Sequence, residues 1–93
     1  MSVTLKDIKA TFYQYQSHEQ IGSKQLFICR DIHPEGASPA KYPHILIAYR
    51  TIVGRYNSET GCWELTKKKY SVTTTKQLNQ FARNHNVIWV DSL

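Results

Sequence analysis

Large apolar side chains crowd residues 44–56 in the run HILIAYRTIVGRY, on both sides of a period-of-two alternation. Ile45, Ile47 and Tyr49 point one way, and Leu46, Ala48 and Ile52 the other. The first half of the run therefore reads as a central strand buried on both faces. Gly54 lacks the Cβ that a regular ladder packs, which predicts a bulge there. NSETG follows with the composition of a hairpin loop, Gly61 being free to take a positive φ, and CWELT returns as the antiparallel partner with Trp63 and Leu65 on one face. Upstream, KQLFICRDI has the β-branched and aromatic character of a short strand ending near Asp31, and SHEQIGS before it reads as a turn.

Two segments follow a helical period instead. In TLKDIKATFYQYQ, Leu5, Ile8, Phe12 and Tyr15 lie near helical spacing, although Ile8, Ala10 and Phe12 also alternate with polar neighbours. Thr4 and Asp7 form a capping-box pair, which favours helix over strand for residues 4–16. Near the other end, Leu78, Phe81 and Ala82 make the apolar stripe of a helix of about three turns. Thr74 is its expected N-cap, with Gln77 completing a box. Asn84 and Asn86 mark its end, and VIWV closes the chain as a short strand. Between Ile32 and Pro43, IHPEGASPAKYP holds all three prolines and reads as a long surface loop. The expected fold is α+β: an antiparallel sheet of about four strands with one or two helices packed on one face, in a single domain spanning residues 1–93.

Composition narrows this further. An aromatic share of 12% implies a small core filled by large side chains. Cys29 and Cys62 are the only thiols and no signal-peptide pattern opens the chain, so a reduced, cytoplasmic setting is expected, with both cysteines as small buried hydrophobes. No apolar run approaches the roughly 20 residues that cross a bilayer, and no membrane partner is expected.

The net charge of +5 is unevenly placed. Lys67, Lys68, Lys69, Lys76 and Arg83 lie between residues 65 and 90 with no Asp or Glu among them, while the cations elsewhere are matched by carboxylates. Such a surplus attracts an anionic partner at long range, either nucleic acid or an acidic protein surface. A lysine-rich solvated edge that blocks strand-to-strand aggregation explains the same residues without any partner.

Catalytic chemistry has little to stand on. A nucleophile needs a base and an orienting group beside it, and neither Cys29 with His33 nor Cys62 with His44 has a spacing that enforces contact. Zinc ligation lacks paired Cys-x-x-Cys or His-x-x-x-His spacing, the carboxylates are scattered, and no glycine-rich phosphate loop exists. The expectation is a non-enzyme with no cofactor and no metal. His85, on the stripe of the second helix, reads most simply as a histidine meeting free carbonyls at a helix C-terminus.

Three contact surfaces remain. The first gathers Lys67, Lys68, Lys69, Tyr70, Lys76 and Arg83, where lysines and helix-start amides can hold phosphate oxygens while Tyr70 offers a stacking face. The second is the proline-containing loop with Tyr42, suited to a protein. The third is sheet-edge pairing into a homodimer through VIWV.

The strand IAYR, the hairpin and the segment YSVTTTKQLN resemble a pattern in short uncharacterised proteins encoded by bacteriophages and prophages, over residues 44–80. Tyr70, Thr75 and Gln77 stand where that pattern often has Trp, Gly and His. The resemblance brings no catalytic residue. It implies a small phage-type accessory protein that binds a host protein or nucleoprotein complex in the host cytoplasm without catalysis, with inhibition of antiviral defence as one outcome. The alternative is a basic module that binds DNA or RNA directly through residues 67–83.

Overall fold

The computed structural model describes residues 3–22, 25–31 and 41–93. Six strands, β1 (Ser17–Gln20), β2 (Leu26–Arg30), β3 (His44–Ala48), β4 (Thr51–Asn57), β5 (Cys62–Thr66) and β6 (Val87–Val90), form one sheet in chain order. Helix α1 (Leu5–Thr11) precedes β1, and α2 (Val72–Asn84) connects β5 to β6. The fold is thus α+β, with more strands than the apolar pattern announces.

Alternation in β2 and β3 decides where the helices go. Phe27, Cys29, Ile45 and Ile47 share one face with Val3, Ile8 and Phe12 from the α1 region. Leu26, Ile28, Leu46 and Ala48 share the other with Val53, Trp63, Leu65 and with Leu78 and Phe81 of α2. Strands apolar on both faces need cover on both, so the helices lie on opposite sides of the sheet and not on one. Phe27, Ile8, Leu46, Ile47 and Leu65 are among the side chains sealed from solvent. Each of these contributes about 1.5–3 kcal/mol by leaving water.

Two strands depart from expectation. SHEQ is β1 and not a turn: it pairs antiparallel with β2, Ser17 opposite Arg30 and Gln20 opposite Phe27. An edge strand is held by backbone pairing and tolerates polar side chains, so SHEQ lacks the usual β-branched mark. VIWV is a strand as expected, but it runs parallel to β5, with Trp63 opposite Val87 and Thr66 opposite Val90, which makes the sheet mixed. Because α2 carries the chain back along the sheet, the strand after it must run the same way as the strand before it.

HILIAYRTIVGRY is two strands. The chain reverses at Tyr49 and Arg50, where Tyr49 takes φ 58°. That left-handed position favours glycine or asparagine, so no residue in the run announces a turn.

Both helix starts are built from side chains. At α1 the capping box is complete: Asp7 N–H donates to Thr4 Oγ1 at 3.2 Å and Thr4 N–H to Asp7 Oδ2 at 2.9 Å. At α2 the N-cap is Ser71, three residues before the expected Thr74, and Thr74 N–H donates to Ser71 Oγ at 3.0 Å. Thr74 and Gln77 are consequently helical and buried. They lie on the Phe81 face, and burying the Gln77 amide without a partner costs on the order of 1–3 kcal/mol.

Gly54 sits where expected, at a register shift between β3 and β4 that leaves Val53 unpaired between Ile52 and Gly54. A Cβ there would stand 2.5 Å from Leu65 Cδ2 and 3.2 Å from Leu46 Cβ, both inside the core. Overpacking at such a point costs about 1–3 kcal/mol. Gly54→Ala is therefore expected to lower the urea midpoint by a stability loss of that size, and an unchanged midpoint would contradict the close approach.

Candidate functional site

The segment between β5 and α2 carries the cations. Lys67, Lys68 and Lys69 are all exposed, and they line one side of a surface groove of about 370 Å³ completed by Thr66, Thr75, Leu78, Asn79 and Trp89. Lys69 also borders the adjoining groove with Tyr70, Ser71, Val72, Thr75 and Lys76. The chain has to leave β5 and climb onto the sheet before α2 starts, so these consecutive lysines project over the first turn of the helix. They converge with Lys76 around Thr75, which borders both grooves.

Two local contacts shape this surface. The parallel register of β6 brings Asp91 beside Lys67, with the Lys67 Nζ 3.6 Å from Asp91 Oδ1. Asp91, remote in sequence, thus offsets part of the local surplus. Lys68 Nζ lies 5.1 Å from the centre of the Tyr70 ring, a cation over an aromatic face. Trp89 and Val72 add apolar area, at 37% and 74% exposure.

Arg83 and Tyr42 lie elsewhere. Arg83 is two turns beyond Lys76, about 10 Å along the axis, and lines a different groove with Tyr56, Gly61, Trp63 and His85. Tyr42 is on the far face of the sheet, its ring 4.2 Å from the Arg55 guanidinium. Arg55 Nε in turn donates to Glu64 Oε1 at 2.7 Å, and Asn57 Nδ2 donates to Glu64 Oε2 at 3.0 Å. The Asn57 and Arg55 hydrogen bonds hold the Glu64 carboxyl below the usual carboxylate range. Tyr42 therefore ends a polar chain that braces β4 against β5. The rest of the proline-containing loop, residues 32–40, lies outside the described residues, as does His33.

Of the cysteine pairings, Cys62 with His44 separates, and Cys29 with His33 involves a residue outside the described ones. Cys29 is buried on the α1 face. Cys62 and Trp63 are neighbours on β5, so Cys62 faces away from the α2 side, where the His44 ring meets Tyr56 and Trp63. Among the described residues no three His, Cys, Asp or Glu side chains gather as metal ligands, and no helix is long and apolar enough to cross a membrane. His85 stacks on Phe81 at 3.9 Å and its Nδ1 lies 3.0 Å from the Phe81 carbonyl, the helix-end role read from sequence.

The model of a family of unknown function, DUF8033, matches residues 3–90. The chain belongs to that family. Comparisons with curated proteins and with solved structures found no match. Sequence reading missed Trp89, Thr75 and Asn79 as neighbours of the lysines. Thr75 and Asn79 are four residues apart on a helix, one step round from the Leu78 stripe, and that phase could have placed them.

Burial pushes the Cys29 thiol up to about 11, whereas Cys62 is partly exposed. Thiolate is the reactive form. In the folded protein an aromatic disulfide reagent is expected to modify Cys62 rapidly and Cys29 only on unfolding; equal rates for the two would contradict the burial of β2.

Proposed function

We propose that the chain is a non-catalytic binding protein of the kind that phages and prophages encode, docking on a host protein or nucleoprotein through the surface around Lys67, Lys68, Lys69 and Lys76. The observation that supports this reading is their convergence over the start of α2 beside exposed Tyr70, Val72 and Trp89. Cations around an aromatic and aliphatic centre are the composition of a contact patch: the centre supplies burial, the rim supplies steering. Edge strand β6, which carries Trp89 into this groove, offers its free edge for pairing either to the partner or to a second copy of the chain. Obstruction of a host defence complex is the use proposed for such docking, in the host cytoplasm.

A second reading is favoured by one contact, Lys68 beside the exposed Tyr70 ring. A base stacking on Tyr70 with lysines on its phosphates would bind DNA or RNA directly, with little sequence preference and strong salt dependence.

One variant separates the two. Lys67, Lys68 and Lys69 are exposed, so replacing all three by alanine should leave stability nearly unchanged, within about 0.5 kcal/mol per site. Under the first reading, the wild type retains a stoichiometric protein from nuclease-treated bacterial lysate and the triple variant does not. No retained protein, or equal retention by the variant, contradicts it. Under the second, the wild type shifts DNA or RNA in low salt, and the variant loses roughly two to three units of the salt slope.

A further inference from the structure

The two outer strands of the sheet differ in kind. Strand β1 is polar along its length, with Glu19 ion-paired to Arg30 at 2.7 Å, a composition that discourages pairing at an exposed edge. Strand β6 reads VIWV and contains no charge, proline or register shift. Its side chains are apolar on both faces of the sheet. Val87 packs on the α2 core and Trp89 lines the groove beside Leu78, so Ile88 points to the opposite face, 48% exposed. In β2 and β3 the same two-sided apolar pattern belongs to strands inside the sheet, with a neighbour on each side.

The backbone of β6 has room for one more neighbour. The Asn86 and Val90 carbonyls accept from the Trp63 and Lys67 N–H groups on the β5 side, both at 2.8 Å. Backbone groups alternate sides along a strand, so Val87 and Trp89 turn theirs away from β5. Each of the two presents an N–H and a C=O that have no partner among the described residues.

We infer that β6 pairs antiparallel with β6 of a second copy across a two-fold axis, joining two six-stranded sheets edge to edge. One register satisfies every outward group: Val87 opposite the partner's Trp89, Trp89 opposite the partner's Val87, and Ile88 on the axis facing the partner's Ile88. On the α2 side each Trp89 then lies against a β-branched Val87, and on the other side the two Ile88 side chains meet, both favourable cross-strand pairings. A second copy fits better than a foreign strand because this edge is its own complement. Pairing it once closes it in both copies, and the polar β1 edges left at the two ends do not extend the array. This commits the β6 edge of the proposed docking surface to self-pairing. The axis stands perpendicular to the sheet, so the lysine grooves of both copies share one face, but the pairing does not depend on what those lysines bind.

The test is sedimentation of the purified, intact chain from roughly 10 μM to 1 mM, the range in which so small an interface associates. The mass is expected to rise with concentration from 10.8 kDa towards twice that value. Amide exchange on the same samples is expected to slow at Val87 and Trp89 as the dimer fills. Ile88→Lys sets like charges against each other on the axis without entering either core, and is expected to weaken the dimer roughly tenfold or more. A chain that stays monomeric over the whole range, assembles beyond two copies, or dimerises without slowing the Val87 and Trp89 amides overturns the inference. It is equally overturned if Ile88→Lys dimerises as tightly as the wild type. The wild-type measurements decide even if the variant fails to fold. No lysate enters, so failure of the lysine reading and failure of this one show separately.

Discussion

Everything in this molecule depends on β2 and β3 being apolar on both faces. Phe27 and Cys29 look one way and Leu26 and Ile28 the other, and Ile45, Ile47, Leu46 and Ala48 repeat the division one strand over. A sheet with such a centre is unstable until each face is covered. The chain supplies one helix before the sheet and one within it, a short one of seven residues and a longer one of thirteen. Among the described residues two separate cores result, one on each face of the strands between them.

Cover by single helices has a geometric cost: part of the sheet stays open. A helix with its side chains is about 10–12 Å across, while six strands at about 4.8 Å spacing span roughly 24 Å. Strips of sheet therefore remain open beside α2. On one flank, toward β6, the open strip meets the segment that climbs from β5 to the helix, and that segment carries the lysines. On the other, toward β1, it forms the cleft lined by Leu26, Ile28, Gln77 and Phe81. Both features arise because a parallel strand can be added to β5 only by a crossover over the sheet, and α2 is that crossover.

Much of this arrangement can be read in the residues. The α1 capping box, the stripe of α2, the Asn57–Cys62 hairpin with Gly61 at φ 72°, the bulge at Gly54 and the clustering of Lys67, Lys68, Lys69 and Lys76 all follow from local chemistry. What stays hidden is what local chemistry does not encode. SHEQ pairs through its backbone, the Tyr49–Arg50 reversal uses no turn residue, and Asp91 reaches Lys67 only through the register of two strands. The opposite placement of the helices was legible in the LFIC and HILIA alternation, which demands two covers where one was expected. Arg83 was grouped with the lysines by sequence proximity, yet helix rise carries it two turns away to another groove.

The division of the sheet into two separately covered faces is tested most directly by proton–proton contacts in solution. The account predicts that the Phe27 ring shows nuclear Overhauser effects to Ile8 of α1, while the Phe81 ring shows them to Trp63, whose ring centroid lies 5.1 Å away. Contacts from Phe27 and Trp63 to the same helix would place both covers on one side and contradict it.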